Sequence, residues 1–82
     1  MASQAEWNNI FAEIYFSEPR VGYLPTSVCH KTIRARLTKC LREYNQSLKE
    51  VGEQPEVTEV KVSRGGEDKW KITFVSTSLS LL

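Results

Sequence analysis

Ile10-Phe11-Ala12-Glu13-Ile14-Tyr15-Phe16 is the stretch whose reading decides the fold. Read with a period of two, Ile10, Ala12, Ile14 and Phe16 alternate with Phe11, Glu13 and Tyr15, and the run is rich in strand-favouring residues. Read at steps of three and four, Trp7, Ile10, Phe11 and Ile14 form one stripe of a helix, and Ser3-x-x-Glu6 has the pattern of a capping box. Residues further along tip the balance toward a strand over 9–16.

Those residues form a hairpin. Thr58, Val60 and Val62 alternate with Glu59, Lys61 and Ser63, and Trp70, Ile72 and Phe74 alternate with Lys69, Lys71 and Thr73. Between them Arg64-Gly65-Gly66-Glu67-Asp68 reads as a turn in which glycine supplies a positive φ. Two strands alone make a poor sheet, and a third makes it viable. The segment over 9–16 is the natural candidate, because Ser17 to Pro25 holds two prolines and a glycine and reads as loop.

Between these strands lies a long helix, expected over roughly 27–50. Ile33, Leu37, Cys40, Leu41, Tyr44, Leu48 and Val51 recur at helical steps as one apolar stripe. Thr26 or Ser27 is the expected N-cap, Gly52 the stop, and Pro55 forbids continuation. The expected fold is therefore α+β: a small βαββ sandwich with one long helix on a three-stranded sheet. The expected core is Ile10, Ile14, Phe16, Ile33, Leu37, Leu41, Tyr44, Leu48, Val60, Val62, Trp70, Ile72 and Phe74. Should residues 9–16 be helical, the order becomes ααββ, an N-terminal helix and a C-terminal hairpin.

Eighty-two residues are expected to form a single domain, residues 1–82. An apolar fraction of 40% is too high for a disordered chain. No apolar run approaches the roughly 20 residues that span a bilayer, so no membrane partner is expected. Met1 to Glu6 has neither the basic nor the apolar region of a secretory signal, and two cysteines are too few to staple a secreted mini-domain. Cytoplasm or nucleus is the expected setting. The apolar ending, Leu79 to Leu82, fits a fragment of a longer protein as readily as a whole one. The tail from Val75 onward is β-prone and uncharged, suited to extending the last strand, pairing with another chain or hanging free.

Self-contained chemistry is not expected. Cys29, His30 and Cys40 fall one short of the four ligands of a structural zinc site, and no metal or other cofactor is expected. A phosphate loop needs a longer glycine pattern leading into a helix. Asn45-Gln46-Ser47 matches a glycosylation sequon inside the expected helix, where chance explains it better. With one helix over a small sheet there is little room for a cleft, so the expectation is a protein that is not an enzyme.

Two surfaces remain as binding candidates. The strand reading places Phe11 and Tyr15 on the sheet face away from the helix, beside Lys61, Lys69 and Lys71, as an aromatic platform flanked by cations. The helix face bearing Lys31, Arg34, Lys39 and Arg42 is a basic patch suited to an acidic partner or a phosphate backbone. The net charge is only +1, with an acidic block over 43–59, which weighs against nucleic acid. The function expected first is a protein-interaction or adaptor module. Its partner is another protein or a second copy of itself, met through the sheet face or an edge. A nucleic-acid-binding module is the alternative.

Overall fold

The computed structural model describes residues 3–76; the tail beyond Ser76 lies outside them. In chain order they form α1 (Gln4–Tyr15), β1 (Val21–Pro25), α2 (His30–Glu50), β2 (Val57–Arg64) and β3 (Lys69–Ser76). The sheet is antiparallel in the order β1-β3-β2. The α+β class, the long helix and the C-terminal hairpin are as expected. The third strand is not where alternation placed it.

Residues 9–16 are not a strand; nearly all of them belong to α1. Ser3 caps it: its Oγ accepts from the Glu6 N–H at 3.2 Å, and the Ser3 N–H donates to Glu6 Oε1 at 2.9 Å. Both halves of the capping box are formed, and two of the helix's otherwise orphaned donors are satisfied. Trp7, Phe11, Ile14 and Tyr15 then share one face, and all four are buried. Phe16, expected in the core, is the C-cap residue and is 67% exposed. A helix carries it past the end of the buried stripe, where a strand would have turned it inward.

The stretch expected to be loop supplies β1. It runs antiparallel to β3 with Gly22 opposite Ile72 and Leu24 opposite Trp70. Pro25 closes it on the outer side of the pairing, where a missing N–H breaks no ladder. Gly22 sits directly beneath α1: a Cβ there would lie 2.5 Å from Ile14 Cγ1 and 2.8 Å from Ile14 Cδ1. Glycine therefore sets how closely α1 approaches the sheet.

Arg20 holds the turn between α1 and β1. Its backbone is left-handed (φ 64°), a conformation costly for a residue with a Cβ. The strain is opposed by several contacts. The Arg20 N–H donates to the Ser17 carbonyl at 3.0 Å, and the Arg20 carbonyl accepts from the Phe74 N–H at 3.2 Å. The guanidinium donates to the Tyr15 carbonyl and to Ser76 Oγ, pairs with Glu56 at 3.1 Å, and lies 4.8 Å from the Tyr15 ring centroid. One side chain thus ties the end of α1 to the start of β2 and the end of β3.

Helix α2 begins at His30, later than expected, with Cys29 as N-cap. The Val28 carbonyl is engaged by the Trp70 indole N–H at 2.9 Å, and Val28 N–H bonds back to Pro25 at 3.2 Å. Residues 26–28 are thereby held in a turn. At the other end Gly52 takes φ 79°, its N–H reaching the Lys49 carbonyl and that of Glu53 reaching Leu48. This is a Schellman stop, as the glycine predicted. The hairpin turn differs from expectation: neither Gly65 nor Gly66 adopts a positive φ. Gly65 lets the Tyr23 ring lie close, since a Cβ would stand 2.9 Å from it and the half-exposed ring would have to shift.

Both helices cover the same sheet face, α2 over β2 and α1 over β1 and β3. Ile33, Leu37, Cys40 and Leu41 of α2 meet Val57, Val60, Ile72 and Phe74 of the sheet, with α1 filling the remainder. Asn45 secures α2 to β2, its Nδ2 donating to the Val57 carbonyl at 2.9 Å. That nitrogen is the atom a glycan would need.

Replacing Gly22 by alanine forces Ile14 or the whole of α1 outward, and we expect a loss of about 1–3 kcal/mol in urea denaturation. In the double variant with Ile14→Ala the added methyl finds space, so the two losses should fall well short of additive. Full additivity would show that the contact does not set the helix position.

Candidate functional site

The sheet face away from the helices is bare among the described residues. Pairing with β3 places Tyr23 beside Lys71, Pro25 beside Lys69 and Val21 beside Thr73 on that face, with Lys61 and Ser63 opposite on β2. The face is therefore open and lysine-bearing, as alternation predicted, and Lys69 and Lys71 stand on it. Its aromatic residue is different. Phe11 and Tyr15 are only 6% and 4% exposed, packed against Phe74 and Tyr44 in the core, and take no part in any surface. The exposed ring is Tyr23, 52% accessible, with Lys69 Nζ 5.0 Å from its centroid. Val21-Gly22-Tyr23-Leu24 does alternate, so a signal was present; the flanking prolines hid it.

Lys31, Arg34, Lys39 and Arg42 are all exposed on α2, with Ala35 and Thr38 among them. Together they border a shallow depression of about 470 Å³ on the helix side turned away from the core. This stripe and the open sheet face lie on opposite sides of the molecule, so the predicted cations form two surfaces. Among the described residues the one ion pair is Arg20–Glu56. Among the described residues no cation of either surface lies within ion-pair distance of a carboxylate, although Glu43 also lines the helix depression.

The sequence offers an edge as one route of contact without naming the strand; among the described residues it is the edge of β2 from Val60 to Arg64. The Gly65 N–H donates to the Lys69 carbonyl at 3.0 Å, which fixes the phase of the hairpin ladder. In an antiparallel pair, hydrogen-bonded and non-bonded residue pairs alternate. Glu59, Lys61 and Ser63 accordingly direct their backbone groups toward β3, and Val60, Val62 and Arg64 direct theirs outward. Among the described residues no strand lies beyond them. A groove of about 560 Å³ borders β2, reaching Thr73 and Val75 of β3 on its inner side. His30 and Arg34 of α2 line one side, Glu59, Lys61 and Ser63 the other, with Val60 and Val62 between.

The opposite edge is blunted. β1 has five residues and ends in proline, which offers no N–H, and α1 packs over Gly22. β2 has eight residues, no proline, and one irregularity between Val57 and Glu59.

The two thiols differ sharply. Cys29 is exposed at the start of α2, and the N–H groups of Lys31 and Thr32 draw its pKa below the ordinary thiol value. Cys40 is buried, and desolvation pushes its pKa up. Its Sγ lies 3.3 Å from Asn8 Oδ1 and 3.7 Å from Gln4 Nε2, linking α2 to α1. The described residues hold no cluster of three or more metal-ligating side chains, and no described helix is long and apolar enough to cross a membrane.

No family model matches the chain, and neither a curated protein nor a solved structure matches it.

A lowered pKa raises the thiolate fraction at any pH below it, and a raised one reduces that fraction. Cys29 should therefore be alkylated by iodoacetamide near neutral pH well before Cys40, which should react only as the fold opens. Mass spectrometry of the native protein checks this, and equal rates at the two sites would contradict the assigned environments.

Proposed function

We propose that the chain is a protein-interaction module that takes up an extended segment of a partner along the free edge of β2. One observation carries the reading. The hairpin phase leaves the backbone groups of Val60, Val62 and Arg64 turned outward, along a groove bordered by α2. An incoming strand would complete those hydrogen bonds, and its alternate side chains would face α2 and the open sheet face in turn. Main-chain pairing supplies affinity and the groove walls supply selectivity. The domain binds and does not catalyse in this reading.

Selection of displayed random peptides on the intact chain tests it. Captured peptides should slow amide exchange at Val60, Val62 and Arg64. Val62→Pro, which removes an outward N–H from the edge, should abolish capture while leaving the circular dichroism spectrum in place. Protection confined to other segments, or undiminished capture by the proline variant, would remove the proposal.

A nucleic-acid role is the second reading, favoured by the exposed Tyr23 ring with Lys69 Nζ 5.0 Å from its centroid. It ranks lower because single-strand platforms stack successive bases on several rings, and this face offers one among the described residues. Phosphate contacts by Lys61, Lys69 and Lys71 would make affinity for single-stranded RNA fall steeply with salt. A flat response would dismiss it.

A further inference from the structure

We infer that the partner segment taken up by β2 is acidic, with its carboxylates on the side chains that face α2. The inference rests on the strand-addition reading and adds the chemistry of the occupant. The α2 side of the groove carries His30 and Arg34. Arg64 joins that row: it lies opposite Trp70, on the core side of β2, with its guanidinium 5.0 Å from the Trp70 ring. Glu59 is the acid lining the groove, and it belongs to the opposite row, on the open sheet face. Among the described residues neither Arg34 nor Arg64 has a carboxylate within ion-pair distance.

An added strand places every second side chain on the α2 side. Those positions meet the guanidinium groups of Arg34 and Arg64, the latter also donating to the Glu67 carbonyl, with His30 beside them and no acid lining that side. The remaining positions meet Lys61, Ser63 and Glu59, a mixed row with little preference. Carboxylates facing α2 would gain charge-assisted contacts, and lysines there would be repelled.

A second copy of this chain is a poor occupant on the same grounds. Antiparallel pairing of β2 with itself about Val62 would set Arg64 of each copy against Val60 of the other. The Arg34 rows would approach with no acid to separate them.

Three acetylated and amidated heptapeptides test this, alternating valine with glutamate, glutamine or lysine. Each is titrated into the intact chain and followed by amide shifts at Val60 and Val62. The glutamate probe should bind tightest, about five-fold better than the glutamine probe, which is what one exposed ion pair can supply. The lysine probe should be weakest, and added salt should narrow the spread. Arg34→Glu should reverse the order, and Lys39→Glu, which does not line this groove, should leave it intact. If all three probes bind alike at the edge, the acidic preference falls and the strand-addition reading stands. If none binds, the inference falls, and peptide selection on the Val62→Pro variant decides the edge separately. Concentration-dependent dimerisation that perturbs Val60 and Val62 in the absence of peptide would also overturn it, because the edge would then favour its own copy.

Discussion

Phe11 lies with its ring centroid 5.4 Å from that of Phe74, 5.2 Å from Tyr15 and 5.9 Å from Tyr44, and the arrangement of both helices depends on it. α2 alone covers the β2 side of the sheet and leaves the half formed by β1 and β3 open. Phe11 and its neighbours on α1 close that half. A domain this small retains only a thin margin of stability, so an unfilled half-core would be severe: removing one such ring costs about 3–5 kcal/mol. Gly22 makes the closure possible by letting α1 settle on the sheet. Arg20 then locks the turn that reverses the chain from helix to strand.

The parts read correctly from sequence were those whose periodicity had one interpretation. The stripe through Ile33, Leu37 and Leu41 and the alternation of Val60, Val62, Trp70, Ile72 and Phe74 each fit one kind of element, and formed one helix and two strands. Residues 10–16 fit two elements, because apolar residues occupy nearly every position. The capping box at Ser3 and Glu6 was the local signal that should have prevailed, and the demand for a third strand outweighed it. That demand was sound; the strand came from Val21–Pro25, where proline and glycine argued against one. Proline is tolerated there because the strand is an edge, and glycine is required because α1 lies above it. Both reasons are tertiary.

The candidate site divides in the same way. The lysines of the open face were legible because alternation assigns a face once a strand is known. The aromatic residue was misassigned along with its segment, so Tyr23 took the place given to Phe11 and Tyr15. That the edge belongs to β2 could not be read at all. Which strand ends a sheet depends on the order β1-β3-β2, and that order follows from long-range pairing between residues some fifty positions apart.

On the strand-addition reading, that order gives the described residues a valence of one. A sheet with two receptive margins can be extended indefinitely by stacking further chains, the geometry from which fibres grow. Here the margin at β1 is short and closes on a residue with no hydrogen to donate, so a strand captured at β2 ends the series. On the strand-addition reading, the domain would exchange one extended ligand for another without becoming a link in a polymer.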